Sequence, residues 1–269
     1  MEKEYDAVLF NQQFEVVLFG YHQWFNEENL VLSLGSEILD KPYKAIYRGW
    51  MMQPEKYKRF YNALAAQNIQ LETTPEEYET LHIFLNVYEL IKEDTAKILC
   101  FPLHKEIDVK IIKTSFKRFM VKDFVKSVKG TDFPKCFDEN VTQEEFNQWM
   151  EVFYKYRGNL LTGGIVIKEF LPLKKYNGVT NEWRAFYYDG KLMNCSMNAG
   201  QMNCCPEPPK ELLNRYSLPS RFYTMDYAEL EDGTWKIIEV GDGQVSGLSI
   251  SQSRSQMESA FYRELYYAE

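Results

Sequence analysis

Several segments of this 269-residue chain hold charged side chains where strand patterning asks for apolar ones. In "FYTMDYAELEDGTWKIIEVGDGQVSGL", residues 222 to 248, an Asp-Gly pair at 232–233 separates two alternating runs, a strong β-hairpin signal. With that pair as a two-residue turn, Glu231 faces Thr234, and counting outward sets Asp226 opposite Glu239. Directly paired residues on one face have Cβ atoms about 4.5–5.5 Å apart. On this count Phe222, Thr224, Ala228, Trp235 and Ile237 share their face, poor company for two anions. Like charges so placed repel unless a proton or a cation lies between them. A hard divalent cation suits: Mg²⁺ takes one or two protein carboxylates together with phosphate oxygens and water. Asp242, three residues past Glu239, offers a third oxygen. The competing reading is a slipped register or a bulge that turns one acid to solvent.

Cations are placed as oddly as the acids. Lys122 in "RFMVKDFVKS" and Lys168 in "GGIVIKEFLPL" interrupt apolar runs, while Arg184 in "NEWRAF" and Arg48 in "YRGW" read as strand arginines beside aromatics. A strand lysine ordinarily faces solvent, and each arginine could be a stacked surface residue. Beside a carboxylate pair that holds Mg²⁺ the four suggest more. Phosphate oxygens need neutralising from several sides, and arginine grips phosphate or carboxylate with two N–H bonds. The chain has no Walker A motif, GxGxxG, GxSxG or HExxH, and "IVIK" is followed by no HRD loop or DFG.

The elements that must position these residues are legible in outline. A length of 269 implies one large domain or two closely joined ones, and 45% hydrophobic content suffices to bury a core. Residues 1–95 alternate strands ("EVVLFGY", "KAIYRGW", a short "QLETT") with helices ("EKYKRFYNALAAQ", "TPEEYETLHIFLNVYELIKE"). Thr74 is the expected N-cap of the second helix, with Pro75 at its first position. This is a small α/β unit. Residues 96–269 read as α+β, with strands at "KILCFPL" and in the segments quoted above, and helices at "TQEEFNQWMEVFYKYRG" and "QMESAFYRELYYA". Asp189-Gly190 marks a further hairpin.

Composition narrows the function classes. A net charge of −8 argues against a nucleic-acid or anionic-membrane surface, although residues 105 to 130 are lysine-rich. No apolar run approaches the roughly 20 residues of a membrane span, and "MEKEYDAVLF" does not resemble a signal peptide. The expectation is a cytoplasmic protein. Five cysteines without a CxxC pair and three scattered histidines read as free thiols and no zinc site.

The order of "MVKDFVKS", "GGIVIKEFL", "NEWRAF", "FYTMDYAEL" and "WKIIEVGDGQVSGL" resembles the ATP-grasp ligases, and among them the clade named for two arginines and a lysine. The likeness spans about residues 96–269, and "YRGW" extends it into the N-terminal part. It implies an α+β ATP-grasp fold, two lobes gripping ATP, preceded by the small α/β domain. It implies ATP and Mg²⁺ as cofactors, with two ions bound and Mn²⁺ a possible replacement. Lys122 would reach the phosphates, helped by Lys126, and Lys168, Glu169, Phe170 and Leu171 would meet the adenine largely through the main chain. Asp226 and Glu239 match the family's metal carboxylates, and Arg184 and Arg48 match the clade's arginines, holding the acid substrate or the transferring phosphate. Many members carry asparagine two residues after the metal glutamate; that position is Gly241 here, which leaves Asp242 as the expected third ligand.

The chemistry implied joins a carboxylate to an amine, small molecule or peptide, through an acyl phosphate. Two other readings use the same residues: a phosphotransferase on this scaffold, and a nucleotide-binding interaction protein whose aromatic tail "FYRELYYAE" docks a partner. Keeping Lys122, Arg184, Asp226 and Glu239 together speaks against the last, because buried charges without a ligand are costly.

Overall fold

The computed structural model describes residues 2–11, 13–33, 41–248 and 261–267. Four antiparallel strands form one sheet, in the order Lys191–Met197, Glu182–Tyr188, Phe222–Glu229, Trp235–Asp242. The Asp189-Gly190 turn has both residues at positive φ, 46° and 73°, as a type I′ hairpin requires.

The turn at Asp232-Gly233 is wider than the sequence count assumed. The Leu230 N–H donates to Thr234 O, and Ala228 and Tyr227 lie opposite Lys236 and Ile237. Ile238 then bulges out of the ladder, and beyond it Asp226 is opposite Glu239. The expected pairing is reached because an extra residue in the turn is offset by an extra residue in the strand. The bulge also corrects the expected face. Ile237 is buried on the opposite side from the acids, with Tyr223, Met225, Tyr227 and Val240, and Trp235 packs against the same cluster. One inserted residue inverts the facing of every residue between the bulge and the turn.

A second antiparallel sheet has the order Ile98–Phe101, Ile165–Glu169, Arg118–Asp123, Phe137–Asp138. Alternation sends Phe119, Val121, Ile165 and Ile167 to one face, where they pack with Phe146 and Phe153 of the helix Gln143–Arg157. Each such burial contributes about 1.5–3 kcal/mol. A capping box fixes that helix's start, with the Glu145 N–H on Thr142 Oγ1 and the Thr142 N–H on Glu145 Oε2. Lys122 and Lys168 project from the other face.

The N-terminal part contains the expected βαβ unit. Tyr43–Ala45 runs parallel to Ile69–Leu71, with the helix Pro54–Ala65 between them. The strand expected at "EVVLFGY" shrinks to Leu18–Phe19. The next strand ends before Arg48, because the Tyr47 N–H donates to the Gln244 side chain instead of a neighbouring strand. The helix expected from Pro75 opens with the Thr74 cap but breaks in two, Pro75–His82 and Leu85–Ile91. Ile83 is extended (φ −99°, ψ 101°), and the Phe84 N–H leaves the helix to bond Phe124 O. Both helices cover the hairpin sheet with Leu81, Val87 and Ile91, joined by Phe84 between them, so the apolar core runs across the division expected at residue 95.

The helices Glu2–Asn11 and Val109–Ser115 escaped the sequence reading. Of the expected C-terminal helix, residues 261–267 are helical, with Phe261, Tyr262 and Leu265 buried against Phe186 and Phe222. Its first residues, 256–260, lie outside the described residues. Among the described residues no helix is long and apolar enough to cross a membrane.

Candidate active site

Three charged residues form a row across neighbouring strands: Arg184 is in register with Asp226, and Asp226 with Glu239. Arg184 Nε and Nη2 donate to the two oxygens of Asp226 at 2.7 and 2.6 Å, and Nη1 donates to Gly247 O at 2.8 Å. Burial pushes the Asp226 carboxyl above its usual range and the Arg184 guanidinium pulls against that shift. Glu239 is exposed, and among the described residues it makes no hydrogen bond or ion pair. The cation beside the acid pair in this structure is therefore a guanidinium, and the free carboxylate is that of Glu239.

The second sheet supplies two ammonium groups. Lys122 and Lys168 Nζ lie 5.1 and 4.9 Å from the centre of the Phe84 ring, a pair of cation–π contacts. Lys168, only 7% exposed, also donates to Ile238 O at 2.7 Å, so the carbonyl of the bulged residue ties one sheet to the other. Burial brings Lys168 down to about 7; the neighbouring Lys122 adds to the fall and Glu239 opposes it. Burial likewise lowers Lys122, again with Glu239 opposing. Both lysines thus sit within electrostatic reach of the acid row.

A cleft beside the row is bordered by Lys126, Arg184, Asp226, Glu239 and, from the first helix after Thr74, His82. Lys126 is exposed there, and its N–H and C=O hold the turn after the Lys122 strand by bonding Asp123. His82 was not singled out from the sequence. It is buried, stacks on Tyr78, and neither ring nitrogen has a hydrogen-bond partner. Burial, with Lys126 nearby, brings it down to about 4, so at neutral pH it is an uncharged imidazole. No sequence signal marks it, because the break at Ile83 that turns the chain here interrupts a segment whose pattern is that of one continuous helix.

Asp242 borders the same cleft but does not converge with the pair. It lies opposite Tyr223, on the alternate side of the strand from Glu239, and is 3% exposed. Its Oδ1 accepts from the Gln244 N–H. Its Oδ2 and the nearby Thr73 hydroxyl, both buried, make no hydrogen bond of ordinary geometry. Burial pushes the carboxyl up to about 7. Among the described residues no three His, Cys, Asp or Glu side chains converge as a metal cluster.

Arg48 stands apart from Arg184. Its guanidinium binds Glu4 (Nε to Oε1, 2.7 Å) and the carbonyls of Gly243 and Gln244 at 2.6 and 3.2 Å. It clamps the loop after Glu239 and lies outside the cleft lining. In the segment expected to meet adenine, the N–H groups of Glu169 and Phe170 are committed to Lys97 O and Arg118 O, and Arg118 covers the Phe170 ring at 4.6 Å.

Residues 112–265, more than half of the chain, match the family model for an ATP-grasp domain, family 3 of the clade named for two arginines and a lysine. The chain belongs to this family. The clade assignment agrees with the order of motifs in the sequence, and solved structures agree with the fold. The ATP-grasp chain is similar to D-cycloserine synthetase DcsG (TM-score 0.59, 10% identity, 99% of this chain and 93% of that one). It is also similar to the ATP-grasp ligase PsnB complexed with minimal precursor, Mg and ADP (0.53, 10%, 98% and 93%). A third similar structure is the D-alanine–D-alanine ligase from Bacillus anthracis (0.53, 13%, 81% and 77%). No curated protein sequence matches the chain.

The residues present fit a Mg²⁺–nucleotide. Two hard carboxylate oxygen donors stand in adjacent register, Glu239 without a hydrogen bond among the described residues; Arg184 and Lys126 border the same cleft, and Lys122 and Lys168 are within electrostatic reach of Glu239.

Proposed function

We propose that this ATP-grasp chain is an ATP- and Mg²⁺-dependent carboxylate–amine ligase. The observation that carries the reading is the Arg184–Asp226–Glu239 row on one sheet, approached by Lys122 and Lys168 from the other. In the reaction a substrate carboxylate oxygen attacks the γ-phosphorus of ATP, and the bond to the β–γ bridging oxygen breaks with its electron pair leaving on ADP. The amine nitrogen then attacks the acyl carbon, phosphate departs with the C–O electrons, and the nitrogen gives up its proton to form the amide.

Neither step needs a protein nucleophile, and positioning with charge neutralisation supplies most of the rate. Asp226 and Glu239 would hold Mg²⁺, or Mn²⁺ in its place, which when bound neutralises the phosphates; a second ion fits the number of oxygens to be shared. Lys122 and Lys126 bind the phosphates, Lys168 to Leu171 line the nucleotide, and Arg184 holds the acid or the transferring phosphoryl group. Arg48 acts on that site by fixing the loop behind it. Residues 96–269 form the catalytic part and residues 1–95 the unit that precedes it, the helices of 75–91 being packed on both, and the setting is the cytoplasm. Ligases named among the similar structures, PsnB with its precursor included, are in line with this reading.

The test is ADP release with Mg²⁺ and a panel of acids and amines. Release that needs both an acid and an amine supports the ligase. Release with acid alone, leaving a phosphorylated product, replaces it by a phosphotransferase. Nucleotide binding without release across the panel replaces it by a binding protein.

A further inference from the structure

Gly241 lies two residues past Glu239, on the same face of the strand and directly opposite Thr224. A side chain at this position would enter the space beside the acid pair. A Cβ placed there would stand 3.2 Å from Ser246 Oγ and 3.5 Å from Thr224 Oγ1, so two hydroxyl groups hold the volume that glycine leaves. The hydroxyls are bonded to each other at 2.8 Å, and Ser246 Oγ–H donates to Asp242 O at 2.8 Å. With the serine proton committed to that carbonyl, the proton between the two oxygens belongs to Thr224, whose hydroxyl has Gly241 O as a second, longer acceptor at 3.3 Å. A hydroxyl has two lone pairs; in this arrangement Thr224 Oγ1 keeps both free and Ser246 Oγ keeps one. Thr224 is 2% exposed, and both residues border the cleft that Asp226, Glu239 and Arg184 line.

We propose that the Thr224–Ser246 hydroxyl pair supplies the third protein oxygen contact to a Mg²⁺–nucleotide held at Asp226 and Glu239. The inference rests on the reading of those two acids as metal ligands. It gives the third contact to neutral oxygens, while Asp242, on the other side of the strand, stays buried behind them. Because Arg184 already neutralises Asp226, the ligand set carries little net negative charge, and the ion binds with the nucleotide rather than before it.

Mn²⁺ binding to the full-length protein in the presence of ADP, followed by the loss of the free-ion EPR signal, tests this. The Thr224→Val, Ser246→Ala double variant is expected to bind Mn²⁺ about 10–100-fold more weakly in the ADP complex, the range set by removing a group that orients or completes a metal site. Its metal-free ADP affinity stays within twofold of the parent. Asp242→Asn keeps the parent Mn²⁺ affinity. Adding Gly241→Asn to the double variant returns an oxygen to the same volume and recovers most of the loss. Ser246→Ala alone, at a half-buried position in the loop after the strand, shows a several-fold loss and decides the matter if the double variant does not fold. Unchanged Mn²⁺ affinity in Ser246→Ala and the double variant, with loss in Asp226→Asn, overturns the hydroxyl contact and leaves the metal carboxylates standing. Absence of ADP-dependent Mn²⁺ binding in the parent overturns both.

Discussion

Arg184 and Asp226 face each other on neighbouring strands and share two N–H···O bonds of 2.7 and 2.6 Å. From the sequence, Asp226 and Glu239 form a repelling pair, so neutralising either should relax the sheet. The structure separates the two. Asn at 226 would leave the Arg184 fork half satisfied, whereas Gln at 239 removes a charge that has no hydrogen bond or ion pair among the described residues and gives up only its longer-range pull on Lys122 and Lys168. Breaking a fully buried pair costs about 3–5 kcal/mol. With the Arg184 and Asp226 side chains 24% and 15% exposed, solvent screening reduces this to about 2 kcal/mol. Asp226→Asn should therefore lower Tm by about 4–8 °C, while Glu239→Gln leaves it unchanged or slightly raised. Both should abolish ADP release. Calorimetry of the two variants at pH 7.5 checks this, and equal losses of Tm would show that Glu239 shares the guanidinium.

Lys168 should make nucleotide binding take up protons. Its ammonium is held at about 7 by burial and by Lys122, against the pull of Glu239. A group lowered in this way is largely neutral at pH 8. Phosphate oxygens favour the charged form and drag its pKa upward on binding. At pH 8 binding of ADP with Mg²⁺ should then consume a proton, and affinity should fall as pH rises above 7. At pH 6 the lysine is already charged and uptake disappears. Titration calorimetry in two buffers of different ionisation enthalpy measures the uptake, which Lys168→Met should remove. An enthalpy at pH 8 independent of buffer would refute the assignment.

Asp242 should make stability depend on pH with a definite sign. Its carboxyl is pushed from 3.8 up to about 7 in the folded chain by burial. The folded state holds a proton that the unfolded state has lost between those values, so Asp242 lowers stability progressively from pH 4 to pH 7 and by a constant amount above. Asn, which resembles the neutral acid, removes that loss. At about 1.4 kcal/mol for each tenfold change in proton affinity, the upper bound is about 4 kcal/mol, and about 1–3 kcal/mol is expected. Urea unfolding should find Asp242→Asn more stable than the parent at pH 8 and no more stable at pH 4. A uniform gain at both values would point to packing instead of ionisation.

How much of this was legible before the structure depends on the range of the interaction involved. Asp226 and Glu239 could be paired because an Asp-Gly turn and alternation are local signals, although the count succeeded through two offsets that cancel. The bulge at Ile238 was not legible: isoleucine is an ordinary strand residue, and the carbonyl it frees is used by Lys168, 70 positions away. Asp242 was misplaced although the signal was there, since a residue three past Glu239 on a regular strand faces the other side. His82 has no local mark at all. Its burial follows from a helix that breaks one residue later and from a sheet formed more than 100 residues downstream. The Thr74 cap and the Asp189-Gly190 turn, fixed within a few residues, were read correctly.

Arg48 was matched through "YRGW" to a substrate-gripping arginine, and in the structure its guanidinium is engaged by the chain itself. The side chain is 15% exposed, bound to Glu4 and to two carbonyls of the loop that follows the Glu239 strand. That loop is held again by Gln244, whose Oε1 accepts from the Tyr47 N–H and whose Nε2 donates to the Tyr57 hydroxyl. Removing the guanidinium leaves a partly buried carboxylate with the Tyr262 hydroxyl as its remaining donor and deprives two carbonyls of theirs, a loss of about 2–3 kcal/mol. Arg48→Met should thus lower Tm and, through a looser Gly243–Gln244 segment, reduce kcat more than it raises KM for the acid. Arg48→Lys should keep the pairing with Glu4 but not the fork to both carbonyls, and so recover part of the Tm and little of the kcat. A rise in acid KM with Tm unchanged would instead place Arg48 on the substrate, as the sequence match suggested, and the clamp would then be a feature of the unliganded chain alone.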